Sequence, residues 1–343
     1  MKEAIVSPDL SVKIVDSPVP TPGEGQYLIK VVVSGSNPKD WKVPHWTKTE
    51  VNSGDDIAGT IVSAHPSITA PLPKGTRVAA FHTMVTPAGS FAEYALASAA
   101  TTFPLPPGTS FEEGATIPLA ALTAAVALFG ELALPMPWAH VEDEKKGPLV
   151  VYGASTAVGA FAIKIAKWAG IGPIYTVAGR ATEWARGLID ESKGDIVVDY
   201  REGADKVVDA IKKAAGGKPI LHALDAISEQ GSIELISRVL ADGARLTLVL
   251  PPKDGQIPDR IKWSRTSVGV VTDGVGMGPP SKPVDVASGL AYSQLFTRGL
   301  EKGWLTGHPF EVVPGGLGGV EKALKDLKDG KASAVKYVFR VGE

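Results

Sequence analysis

Five short apolar or β-branched runs, "PLVVYG", "PIYTVAG", "DIVVDY", "ILHALDA" and "ARLTLVL", lie between residues 148 and 250, with helical stretches between them. This alternation leaves few folds open. Parallel strands need crossover helices, and helices on both faces of a sheet demand strands that are apolar throughout. The pattern predicts an α/β domain with a doubly wound parallel sheet. The segment after the first run, "TAVGAFAIKIAKWAG", puts Val158, Phe161, Ile165 and Trp168 on one helical face and stops at Gly170.

The flanking sequence has another texture. Residues 1 to about 110 carry the β-rich segments "EAIVS", "YLIKVVV", "GTIVSAH", "TRVAAFH" and "SFAEYAL", split by Pro and Gly turns, as in a small barrel-like β domain. From Ser110, a plausible N-cap, "SFEEGATIPLAALTAAVALFGEL" reads as one long helical stretch, followed by a linker over 133–147. After residue 265 come Gly- and Pro-rich loops, helices at "SGLAYSQLFTRGLEKGW" and "GGVEKALKDLKDG", and a last strand "VKYVFRV". A chain of 343 residues is long for one core. The organisation expected is a nucleotide-binding domain, 123–265, inserted between the two parts of a β-rich domain, 1–122 and 266–343.

Composition narrows the function. With 35 basic and 37 acidic residues and a net charge of −2, no basic surface for nucleic acid or an anionic membrane is expected. The start "MKEAIVSPDL" lacks a secretory profile, and no purely apolar run long enough for a bilayer is read, so a cytoplasmic protein with a small-molecule ligand is expected. The chain contains no cysteine, which removes thiolate nucleophiles and sulfur-ligated zinc. Its six histidines form no H-E-x-x-H pattern, so no metal site is expected.

"VVYGASTAVGAF", residues 150–161, is a strand, a turn of small residues and a helix start. Such a turn brings backbone N–H groups and the positive end of a helix against a pyrophosphate. Gly153, Ser155, Thr156, Ala157 and Val158 are the candidate contacts, and Gly159 allows close helix packing. The turn departs from G-x-G-x-x-G, and a purely structural turn is the other reading. At the end of the second run, where an NAD enzyme usually has an acid for the ribose, stand Gly179 and Arg180. A guanidinium matches a phosphate, so Arg180 points to NADPH, against the alternative of a solvated surface arginine. Tyr200, ending the third run, either covers that phosphate or caps the sheet. "LVLPP", with Leu250, ends the fifth run at the carboxyl edge where ligands of such sheets bind.

The phrases "SNPKDWK", "GDDIAGTIV", "GSFAEYAL", "LVVYGASTAVG", "VVDYREG", "ALDAIS" and "VVPGGL" with the closing "GVEKALKDLKDGKASAVKYVFRV" resemble the medium-chain dehydrogenases/reductases over nearly the whole chain. Within them the chain looks most like the fungal enoyl reductases acting in trans with polyketide synthases, and like TOXD-like and quinone-oxidoreductase-like proteins. The resemblance implies a GroES-like β-rich domain around a Rossmann domain. Zinc-dependent members use a cysteine near Asn37 and a His-Glu pair where this chain has Asp55 and Asp56, so the resemblance implies zinc-independent hydride transfer to the C=C bond of an α,β-unsaturated carbonyl. It also implies that "VVVSGSNPKDWKVPHW", residues 31–46, faces the nicotinamide, with Lys42 stabilising the enolate or donating the proton, Asn37 positioning cofactor or substrate, and Asp40 orienting Lys42 or holding the loop. Thr123 touches the cofactor or is a plain helix-start hydroxyl. For all of these a structural reading stays open: a turn at Asn37-Pro38, solvated Lys39 and Lys42, and Trp41 and Trp46 in the core. The Gly-rich "TDGVGMGPPSKP" borders the substrate or is a surface loop. Competing functions are a quinone or alkenal reductase and a non-catalytic NADPH-binding scaffold. The assembly is expected to be a monomer or a homodimer.

Overall fold

The computed structural model describes residues 1–139, 141, 146–229, 231–272 and 283–343. The Gly-rich stretch beyond Thr272 and most of the acidic part of the expected linker lie outside the described residues. The chain forms two compact units, Met1–Leu122 with Val268–Glu343, and Thr123–Ser267.

In the first unit every β-rich run read from the N-terminal sequence becomes a strand. The main sheet runs in the order Phe310–Val312, Lys336–Arg340, Gln26–Gly35, Asp56–Ala64, Arg77–Phe81 and Thr102–Pro104, with Tyr94–Ser98 also paired to Gln26–Gly35. Register shifts between Leu28 and Ile29 and between Val31 and Val33 bend the long central strand, as bulges do. A two-stranded sheet, Lys2–Val6 and Val12–Asp16, packs its Ala4 and Val6 into the same core as Ile29, Ile57, Val78, Phe91 and Phe339. Phe91 and Phe339 meet edge to face with centroids 5.5 Å apart. The segment after Gly35 is a helix, Pro38–Thr47, where a loop was expected. Asn37 is its N-cap and Pro38 its first residue, a position where the missing N–H costs nothing.

The single helix expected from Ser110 is broken. Ser110 caps a short piece, Phe111–Gly114, its Oγ accepting the Glu113 N–H at 3.0 Å. The helix restarts as Pro118–Ala125 and ends in a π-helical stretch, Val126–Glu131. Pro118 lacks a donor and disfavours the helical region for Ile117, which explains the break. By length and composition Phe111–Glu131 could cross a membrane, contrary to the expectation above, but 83% of its most apolar window is buried in the fold. It is a core segment.

The second unit contains a parallel sheet in the order Ile196–Asp199, Ile174–Ala178, Leu149–Tyr152, His222–Asp225, Arg245–Leu248, Lys262–Arg265. The order reverses beside Leu149–Tyr152, which is the switch point at which open sheets of this kind bind ligands. The sequence showed five strands and the sheet has a sixth. "KWSR" escaped because it is an edge strand with little burial: Trp263 is 51% exposed, and nothing forces an apolar pattern there. Helix Ala157–Trp168 buries Phe161 and Ile165 as expected, and also Ala160, Ala162, Ile163 and Ala166.

Candidate functional site

Two groups of predicted residues lie in the two units, and they are built in different ways. In the first unit, Asn37 stands at the end of the central strand, 4% exposed. Its backbone N–H donates to Asp40 Oδ2 at 2.7 Å and its carbonyl accepts the Asp40 N–H at 2.9 Å, so Asp40 closes the first helical turn. Asp40, fully buried, also pairs with Lys39 Nζ through Oδ1 at 3.0 Å. Lys39 forms a second ion pair with buried Asp55 and donates to the Ser53 carbonyl at 2.5 Å. Asp40 therefore closes the first turn of the helix, and Lys39, half-buried, is paired with two carboxylates.

Burial raises Asp40 to about 7, with Lys39 pulling the other way. Burial also raises Asp55 to about 6, again opposed by Lys39. Burial by itself would lower Lys39, but the Asp55 and Asp40 charges outweigh it and hold the ammonium above its ordinary value.

Lys42, two residues beyond Asp40, points elsewhere. Its Nζ lies 5.4 Å from the centroid of the Trp41 ring and 5.9 Å from that of Trp46, an arrangement worth about 0.5–1 kcal/mol when solvent-exposed. Trp41 packs partly against the β-domain core and Trp46 is 49% exposed. The two tryptophans thus flank the lysine, and only one of them belongs to the core.

Behind Asn37 is a cluster that the sequence left unread. Asp56, fully buried, accepts from Asn37 Nδ2 at 2.7 Å and from the Leu119 N–H at 2.7 Å, and forms an ion pair with Lys336. A signal was present: two adjacent acids in "GDDIAG" and a lysine inside the apolar run "AVKYVF". Charges in such positions need buried partners. Among the described residues no group of three or more His, Cys, Asp or Glu could hold a metal ion. The acids that cluster here are already paired with ammonium groups.

In the second unit the turn after Leu149–Tyr152 has the expected form. Gly153 has φ +84°, a conformation that favours glycine. Thr156 caps helix Ala157–Trp168: its hydroxyl accepts the Gly159 N–H at 3.0 Å and donates to the Gly153 carbonyl at 2.8 Å. A Cβ at Gly159 would lie 2.2 Å from the Gly153 carbonyl oxygen, so the helix is seated directly on the turn. Ser155, Thr156, Ala157 and Val158 are half-buried along this edge. The N–H groups of Ala157 and Val158, first in the helix, have no intrahelical acceptor and carry the positive end of its dipole. The cradle fits a pyrophosphate.

Arg180 is exposed, one residue past Gly179 at the end of the neighbouring strand. The Tyr200 ring lies against Gly179, where a Cβ would come within 2.4 Å of it, and stacks on Tyr152 with centroids 6.3 Å apart. Arg180 and Tyr200 therefore occupy adjacent strand ends. Leu250 is half-buried two residues past strand Arg245–Leu248. Its neighbour Val249 is fixed by the loop after Asp225: the Val249 N–H donates to Ser228 Oγ at 3.0 Å, and buried Asp225 accepts the Ile227 and Ser228 N–H groups at 2.9 and 2.8 Å. Thr123, 7% exposed, is inside helix Pro118–Ala125, not at its start.

Residues 23–107 match the alcohol dehydrogenase GroES-like domain family. The CurK enoyl reductase superposes with a TM-score of 0.73 at 20% identity, covering 98% of each chain. The quinone oxidoreductase from Coxiella burnetii gives 0.72 at 20% identity, covering 99% of each. These share the fold. A trans-enoyl reductase of Gibberella fujikuroi is 46% identical over 319 residues, 92% of this chain and 91% of its own length. Another, of Aspergillus sclerotiorum, is 31% identical over 365 residues, 99% of this chain and 100% of its own. With that identity over almost the full length of both chains, this protein belongs to the trans-enoyl reductase family of the medium-chain dehydrogenases/reductases.

Proposed function

We propose that the protein is an NADPH-dependent, metal-free enoyl reductase that reduces the C=C bond of an α,β-unsaturated carbonyl, acting in the cytoplasm and in trans with a polyketide synthase. The observation that carries the reading is the ammonium of Lys42 held between Trp41 and Trp46, on a helix whose start is tied down by buried ion pairs, in a chain of this family. The reduced nicotinamide supplies a hydride for the β-carbon of the substrate. Charge then develops on the carbonyl oxygen, and a proton must reach the α-carbon. Lys42 is the group proposed to stabilise that oxygen or to give the proton. Asn37 and Asp40 hold the helix that carries it.

Independence from zinc is supported by the lack of cysteine and by the pairing of Asp55 and Asp56 with Lys39 and Lys336. Preference for NADPH is supported by the pair Gly179 and Arg180. The Tyr200 ring leaves no room at position 179 for the acidic side chain of an NAD site, while Arg180 offers a guanidinium beside it.

The test is oxidation of NADPH and then NADH by the purified protein with a 2-enoyl thioester, a simple enone, an alkenal and a quinone. Faster loss of NADPH absorbance with the thioester is expected. Turnover confined to quinone or alkenal would replace the substrate class, and NADPH binding without turnover on any of them would leave a scaffold. Within this reading Lys42→Ala lowers turnover on the order of a hundredfold and leaves NADPH affinity intact. Near-normal turnover would remove Lys42 from the mechanism.

A further inference from the structure

A lysine at a buried strand position is costly unless its charge is matched. Lys336, the first residue of Lys336–Arg340, is 4% exposed. Its Nζ forms an ion pair with Asp56, donates to Asn37 Oδ1 at 3.1 Å, and lies 3.4 Å from the Thr116 carbonyl. An ammonium has three protons, and here it meets three acceptors from three separate segments. Lys336 is saturated, so it has no proton to lend to a substrate. Asp56 is equally occupied, with Oδ1 taken by the Leu119 N–H and Oδ2 by Asn37 and Lys336. The group is closed to ligands, and what it fixes is geometry.

The geometry it fixes is that of the Lys42 helix. The side-chain amide of Asn37 is gripped at both ends, Oδ1 by Lys336 and Nδ2 by Asp56. The residue before it is held by the same strand: both the backbone N–H and the hydroxyl of Ser36 donate to the Tyr337 carbonyl at 2.9 Å. Helix Pro38–Thr47 departs from this clamp, and Lys42 lies in its second turn. A change of angle at Asn37 is passed along the helix to the Lys42 ammonium. Asp40 secures the first turn from inside the same stretch and Lys39 ties it to Ser53 and Asp55, while Lys336 reaches the Asn37 side chain itself from the distant C-terminal strand.

We propose that Lys336, through Asp56 and Asn37, is a positioning residue for Lys42, setting where that ammonium stands without touching the substrate. The inference rests on the reading that Lys42 acts on the developing enolate. Its test uses the full-length protein with Asp56→Asn and Lys336→Met combined, which removes both charges together and leaves no buried ion unpaired. The readouts are kcat, KM for the enoyl thioester, NADPH affinity by fluorescence, and amide hydrogen exchange of residues 37–47.

Expected in the double variant are an unchanged NADPH affinity, a kcat lower by about tenfold to a hundredfold with KM altered less than about threefold, and faster exchange in 37–47 but not in 149–168. In a Lys42→Ala background the same pair of changes is expected to lower kcat by less than about twofold, because the group being positioned is gone. Equal losses in both backgrounds, or unaltered exchange in 37–47, overturn the proposal. If Lys42→Ala is near normal while exchange in 37–47 still accelerates, the catalytic reading of Lys42 fails and the clamp on its helix stands. Should the double variant not fold, Asp56→Asn with Lys336→Gln, which likewise leaves no buried ion unpaired, serves with the same readouts, and equal losses of kcat with and without Lys42 again overturn the proposal.

Discussion

The glycine turn of the second unit and the ion-pair cluster of the first are both candidate functional regions, and they reach order by opposite routes. The turn is made mostly by local backbone: Gly153, the Thr156 cap and Gly159 lie within seven consecutive positions and contact one another, with the Gly153 N–H also held by the Val177 carbonyl. The cluster is made by the side chains of Asn37, Asp56 and Lys336 with the backbone N–H of Leu119, which are scattered across the first unit's chain. A site built from neighbouring backbone tolerates changes of side chain but not of space. A site built from distant charges tolerates neither the loss of one partner nor a change in its protonation.

The sharpest way to break the comparison is at Gly159. An alanine there would bring its Cβ to 2.2 Å from the Gly153 carbonyl oxygen, a backbone atom that cannot rotate away. The helix must lift, costing about 1–3 kcal/mol as overpacking does, and the Ala157 and Val158 amides move with it. Dinucleotide affinity measured by fluorescence titration is expected to fall more than about tenfold, while exchange in residues 37–47 is unchanged. A retained affinity would show that the turn is structural only.

Next in size is Arg180→Ala. Hydrogen bonds to a charged group are worth about 1.5–3 kcal/mol, so the Michaelis constant for NADPH is expected to rise by about ten- to a hundredfold while that for NADH stays the same. If both constants rise together, Arg180 holds the strand end and does not read the phosphate.

How much of this was legible in the sequence follows from the same contrast. Gly153, Thr156 and Gly159 could be read because strand, turn and helix are contiguous, and the alternation of 148–250 announced the sheet around them. The edge strand Lys262–Arg265 could not be read, because its residues have no buried face to pattern them. The helix Pro38–Thr47 was hidden by composition: Asn37-Pro38 reads equally as a turn, although Pro38 is a first-turn proline, and Pro44 sits where the helix is about to close at Lys48. Lys336 was the least legible of all. Its partners are 280 and 299 residues away in sequence, and only the oddity of a charge in an apolar run hinted at them. Whether Lys39 is solvated or paired is open in the sequence for the same reason, since it depends on what the rest of the chain brings to it.

The smallest effect separates the two regions by pH. Asp40 has an ordinary value of 3.8 and is raised to about 7 in the fold, first by burial, so the folded protein holds a proton there that the unfolded chain releases. For an acid raised in this way the sign is fixed: its contribution to stability is complete below about pH 4 and is lost as pH rises through about 7. Asn in place of Asp40 stays neutral throughout and can still accept the Asn37 N–H. The stability of the natural protein relative to Asp40→Asn is therefore expected to fall between about pH 4 and 7, by at most about 1.4 kcal/mol per pH unit, and to level off above that. Asp55 is raised to about 6 and faces the same ammonium of Lys39, so the pair titrates together and the fall is spread over a wider range than one group would give. Melting temperatures of both proteins across that range measure it, with Gly159→Ala as a reference in which no charge changes. A relative stability that rises with pH would mean that the attraction of Lys39 outweighs burial and keeps Asp40 ionised. The cluster would then be held by full charges at every pH at which the protein works.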